Sequence, residues 1–186
     1  MQRLIRIMIY LIFVACLPAT ALAQEHAVPV ATTVGSSGLP VPRFVSLKAD
    51  RVNVRKGPGI DHKVTWIYRR LGLPVEIIAE SELWRHVRDA DGIDGWVFHS
   101  LLSARRTALI VPWEKNKDNT QKNEPVAISL HNKSSASSTI VANMEPGVLV
   151  NVDTCDGNWC LVTTNGFRGW VEQVKLWGVY RGEPVK

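Results

Sequence analysis

Cys155 and Cys160 have the most reactive side chains for which the sequence offers a pattern, and they bracket Asp156-Gly157-Asn158-Trp159. Metal ligation by two thiolates needs further ligands, yet the one nearby histidine, His131, sits in a distant loop with no zinc spacing. A catalytic thiol needs a His and an orienting group, and nothing pairs with either Cys in that way. A structural disulfide needs only an oxidising compartment, and the N-terminus points to one. Arg3 and Arg6, the short apolar run Ile7 to Leu17 and the small-x-small site Ala21-Leu22-Ala23 predict a signal peptide over 1–23 and a mature chain starting at Gln24. The run is too short to span a bilayer comfortably. Acylation at Cys16 is the competing reading, disfavoured because Phe13 stands where such signals carry Leu. A disulfide is therefore expected, with free thiols as the alternative.

Tryptophans are the second set with a chemical use. Side chains alternate along a strand, so Trp84 and Val87 point to opposite faces, as do Trp96 and Val97. If both valines face a core, both indoles face outward, forming an aromatic platform of the kind that receives peptides. Covering an open barrel end or a domain boundary is the structural alternative. Tyr68, Arg55 and Asp61, on neighbouring segments, are the expected additional contacts. There is no Gly-x-Ser-x-Gly, phosphate loop or His-Glu-x-x-His, and the carboxylates cluster in turns, so neither catalysis, metal nor cofactor is expected.

These residues are positioned by a repeat. Leu71-Gly72-Leu73-Pro74-Val75-Glu76-Ile77 lies over Pro146-Gly147-Val148-Leu149-Val150-Asn151-Val152 at an offset of 75, and Trp84 lies over Trp159 at the same offset. Each Trp opens a strand, an Asp/Gly or Asn/Gly turn follows, and the return strand begins Gly95-Trp96-Val97 or Gly169-Trp170-Val171, which is the signature of a β-hairpin. The offset puts Glu80 in the place of Cys155 and Arg85 in the place of Cys160, so an ion pair is expected where the other copy has its disulfide. The 186 residues therefore divide into two small units rather than one domain.

Around the repeat, residues 24–42 mix Pro, Gly, Ser and Thr without periodicity and read as a flexible tether. Residues 43–111 make the first unit, with Arg105 to Val111 as its last strand. The charged, amide-rich stretch 112–123 is a linker with Trp113 as an exception, and 124–181 is the second unit. Residues 41–110 carry twelve Lys/Arg against eight Asp/Glu, and 124–186 five against six, so the two surfaces differ. A modest basic patch on an exported protein fits an anionic envelope polymer or lipid surface better than nucleic acid.

Val52-Asn53-Val54-Arg55, Gly57-Pro58-Gly59, Gly72-Leu73-Pro74-Val75, a Trp, and Gly95-Trp96-Val97 ahead of Leu101-Leu102 together resemble the bacterial SH3-like domain. The exported tandem form, whose second copy ends in a segment like Leu176-Trp177-Gly178-Val179-Tyr180, is the most similar. In the second copy His131-Asn132-Lys133-Ser134-Ser135 replaces the Arg-Lys-Gly-Pro-Gly loop. The resemblance implies an all-β chain of two tandem SH3-like barrels after a cleaved signal peptide and tether. It further implies a non-enzymatic periplasmic or secreted protein that binds an envelope component, the peptide portion of peptidoglycan first. An adaptor for an envelope enzyme or assembly, using the surface between the barrels, is the alternative, and an enzyme of unrecognised type is the third.

Overall fold

The computed structural model describes residues 32–110 and 127–186. The signal peptide, tether residues up to 31, and the stretch 112–123 with Trp113 lie outside the described residues. A short hairpin comes first, β1 (Thr33–Val34) with β2 (Pro40–Val41). Next come β3 (Arg43–Leu47), β4 (Val52–Arg55), β5 (Val64–Tyr68), β6 (Pro74–Ser81), β7 (Trp84–Arg88), β8 (Asp94–Phe98), a 3-10 turn (His99–Leu101) and β9 (Leu102–Ser103). The same series follows again as β10 (Thr107–Ile110), β11 (Ile128–His131), β12 (Ile140–Met144), β13 (Leu149–Asp156), β14 (Trp159–Thr164), β15 (Phe167–Glu172), a 3-10 turn (Gln173–Lys175) and β16 (Leu176–Trp177). β17 (Pro184–Val185) adds to β13.

The first sheet is ordered β5-β4-β8-β7-β6-β3-β9 and the second β12-β11-β15-β14-β13-β10-β16, which is the same order strand for strand. Both curl around a small aliphatic core. Val52, Val54, Val75, Ile77, Val87 and Val97 fill the first, and Ile110, Leu130, Val150, Val162 and Val171 the second. The Gly of each Gly-Trp-Val lies where the return strand crosses close to a neighbour. A Cβ on Gly95 would come 2.5 Å from Val54 Cγ1 and 2.9 Å from the Arg55 carbonyl oxygen, and one on Gly169 would come 3.0 Å from that of His131.

Two expectations about boundaries are corrected. Thr107–Ile110 does not close the first unit, because the edge of β3 is already taken by β9, with Leu47 opposite Leu102. It pairs instead with β13 and β16, sends Ala108 and Ile110 into the second core, and is the counterpart of β3. The stretch 112–123 therefore connects two strands of one sheet rather than two domains. The second correction concerns the tether. Its described residues form a docked hairpin, with Val41 buried in the first core and Ser37 hydrogen-bonded to Glu80 through both its amide (2.8 Å) and its hydroxyl (2.9 Å).

Cys155 and Cys160 form the expected disulfide between facing positions of β13 and β14. Closing so short a loop contributes about 2 kcal/mol on the chain-entropy model. At the equivalent place Glu80 and Arg85 face each other across β6 and β7, with Arg85 Nε 3.0 Å from Glu80 Oε1. That pair is buried, as part of a larger cluster in which Arg43 Nη2 donates to the same oxygen at 2.6 Å.

The barrels pack against each other. Phe44, 6% exposed and part of neither core cluster, meets Trp177 edge-on at 5.1 Å and Tyr180 at a tilt at 4.7 Å. The Tyr180 hydroxyl donates to Glu76 Oε1 at 2.9 Å, and Arg88 Nη2 donates to the other oxygen of that carboxylate at 2.5 Å. Thr107 Oγ1 donates to the Gly72 carbonyl at 2.7 Å, and Arg70 Nη1 to that of Gly147 at 3.1 Å. The Trp-Gly-Val-Tyr segment is thus the clasp between the repeats.

Candidate functional site

On the hairpin of β7 and β8, Trp84 faces Phe98, His86 faces Trp96 and Arg88 faces Asp94. Val87 and Val97, the residues of opposite parity, are fully buried, so the strand period alone turns Trp84, His86, Trp96 and Phe98 outward. All four are half-buried. Their rings pack in two cross-strand pairs along one face. Trp84 and Phe98 meet edge to face at 5.4 Å, Phe98 leans on His99 at 4.9 Å, and His86 stacks on Trp96 at 4.9 Å with only 10° between the planes. His86 Nε2 is 2.6 Å from Asp94 Oδ2, which fixes the imidazole over the indole.

The turn that aims this hairpin is closed by Asp89. Its Oδ1 accepts from the amides of Asp91 (3.0 Å) and Ile93 (2.8 Å), which is the backbone-bonding role that Asp plays in tight turns. Burial pushes its carboxyl above the ordinary range despite those bonds. In the second barrel Asp156 closes the turn before Trp159 through the amides of Trp159 and Asn158, and those bonds hold its carboxyl below the ordinary range.

The other expected contacts fall elsewhere. Tyr68 lies opposite Val52 on β4 and points with it into the first core, 3% exposed. Its hydroxyl donates to the Ile93 carbonyl at 3.3 Å, and burial, then the Asp89 charge, push it above its ordinary range. Arg55 lies beside Trp96 in register, but its guanidinium turns to the loop ahead, donating to the carbonyls of Ile60 (2.8 Å) and His62 (2.7 Å). It shapes that loop, which also needs Gly57, since a Cβ there would sit 2.6 Å from the His62 ring. Asp61 is exposed on the same loop.

His86 and Phe98 were absent from the expected set. The signal that finds them is the parity already used for the tryptophans, because each lies two positions from one of them. Among the described residues no group of three or more His, Cys, Asp or Glu is placed to hold a metal ion. No helix of the described residues is long and apolar enough to cross a membrane.

The family model described as bacterial SH3 domain matches the sequence twice, over residues 48–104 and 125–178. No curated protein matches it. Among solved structures the chain is similar to NlpC2 from Trichomonas vaginalis, at 16% identity over 74% of this chain and 48% of that one, with a TM-score of 0.31. It is similar also to NlpC1 from Trichomonas vaginalis, at 17% identity over 78% of this chain and 48% of that one, with a TM-score of 0.31. The chain spans about half the length of each.

Proposed function

Because the chain belongs to the bacterial SH3 domain family through both of its repeats, we propose that it is a non-catalytic, exported binding protein of the cell envelope. Membership supports a binding module associated with the cell wall. The finer reading is that the first barrel receives the peptide portion of peptidoglycan on the row Trp84, Phe98, His86 and Trp96. The observation that carries it is this outward set of two packed ring pairs, Trp84 with Phe98 and His86 with Trp96, while the residues of opposite parity fill the core. Half-buried aromatics are stiff and amphipathic, so they offer contact area at little entropic cost, which is how SH3 folds take extended peptides. The excess of basic residues over 41–110 favours a partner bearing carboxylates.

The adaptor reading would use the surface between the barrels. Phe44, Trp177 and Tyr180 already fill it, so the row on β7 and β8 is the better candidate.

Retention on washed, purified peptidoglycan tests the proposal. Trp84→Ala and Trp96→Ala should each leave a folded protein, and each should cost at least about 2 kcal/mol of binding, the scale of an interface hot spot. Arg55→Ala is not a clean electrostatic control, because it releases the Ile60 and His62 carbonyls; raising the salt concentration serves instead. Unaltered retention by a folded Trp96→Ala variant would remove the platform from consideration.

A further inference from the structure

The second barrel repeats the hairpin of the first with two exchanges that alter its surface. Where Phe98 stands opposite Trp84, the second copy has Glu172 opposite Trp159. Where Arg55 lies beside Trp96, it has His131 beside Trp170. Among the described residues no phenyl ring closes over Trp159, and a cleft of about 240 Å³ lies there, walled by Ser129, His131, Trp159, Glu172 and Lys175. Sites for drug-sized ligands run to roughly 300–1,000 Å³, so this one suits a single group of amino-acid size.

The polar walls have definable roles. His131 Nδ1 is 3.1 Å from the Ser138 carbonyl oxygen and donates to it, which leaves Nε2 of the neutral ring as an acceptor. Ser129 Oγ donates to Asn143 Oδ1 at 2.9 Å, so its lone pairs remain to accept. The His131 ring meets Trp159 edge-on at 5.5 Å. Together with the Glu172 carboxylate and the π-face of an indole, these groups attract a cation. Lys175, which has a contact of its own within the chain, brings the one ammonium among the described lining residues. One carboxylate against one ammonium disfavours a polyanion or a polycation.

We propose that this cleft is a second binding site, separate from the aromatic row, for a free α-amino acid head group. Its ammonium meets Glu172, His131 Nε2 and the Trp159 face, and its carboxylate meets Lys175. The site does not depend on what the first barrel binds.

Titration of the full mature chain, labelled with nitrogen-15, with D- and L-alanine tests it by NMR. Alanine of at least one hand should move the Trp159 indole and His131 signals saturably. N-acetylalanine and alanine amide, each lacking one charge, should bind at least tenfold more weakly. Glu172→Gln and Lys175→Gln should each weaken alanine about tenfold while the signals of the first barrel stay in place. Equal binding of the blocked derivatives, or the absence of any saturable shift at Trp159, would overturn the proposal. The readout lies in the second barrel alone, so failure here is distinguishable from failure of peptidoglycan retention by the first.

Discussion

Glu80→Ala should destabilise the protein by about 3–5 kcal/mol, the scale of breaking a buried ion pair, and release the N-terminal hairpin from the first barrel. Its carboxylate has no exposed side-chain surface and accepts from Arg43 Nη2 (2.6 Å), Arg85 Nε (3.0 Å), the Ser37 amide (2.8 Å) and the Ser37 hydroxyl (2.9 Å). Truncation leaves two largely buried guanidinium groups without their counter-ion. Against an ordinary domain stability of roughly 5–15 kcal/mol, that is a large share. Burial alone would raise the Glu80 carboxyl, but the hydrogen bonds from Ser37 and Arg43 prevail and lower it to about 2. A folded value below the unfolded one means that stabilisation is complete above about pH 4.5 and is lost as pH falls toward 2. Urea titrations at pH 7 and pH 3 should therefore show the variant losing about half of its deficit at the lower pH. Hydrogen exchange should show residues 32–42 deprotected in the variant at pH 7. An equal deficit at both pH values would refute this account.

Phe44→Ala should have the second largest effect, about 3–5 kcal/mol, with the loss appearing as uncoupling of the barrels. Phe44 belongs to neither aliphatic core, so each barrel keeps its own packing when the ring is removed. What disappears is the contact with Trp177 and Tyr180, leaving the Tyr180–Glu76 hydrogen bond unsupported by ring packing. Calorimetry should resolve one thermal transition in the parent chain and two in the variant. A single transition at an unchanged midpoint would show that Phe44 does not couple them. For an isolated first barrel the appropriate fragment is 32–104, since one ending at 112 carries β10 without its partners and one starting at 41 lacks the docked hairpin.

Much of this arrangement was legible in the residues. The offset of 75 placed two hairpins, their inward valines and outward tryptophans, and it anticipated that Glu80 and Arg85 would stand where Cys155 and Cys160 are bonded. All of these follow from strand parity and turn chemistry, which are local. What local pattern does not carry is partner choice. Thr107–Ile110 is a short apolar run whose two neighbours lie about 40 and 70 residues further on, and a long interruption before β11 hides its equivalence with β3. The hairpin of residues 33–41 has no periodicity and is held by Val41 in the first core and by one carboxylate far along the chain. The placement of Arg55 and Tyr68 is hidden for a related reason: a guanidinium and a phenol can each serve a ligand or a backbone carbonyl, and here both bond carbonyls.

The position of β10 has a further consequence for what a single cut does. The covalent boundary between the repeats and the structural one do not coincide, because the second barrel takes its first strand from the far side of residues 111–126. Proteolysis there would not liberate two domains. It would leave an N-terminal piece whose last strand remains threaded through the other piece between β13 and β16, so the chain is already laid out as a split protein. Its halves should co-elute after nicking and separate only in denaturant, and two fragments expressed apart should reassemble through that one strand.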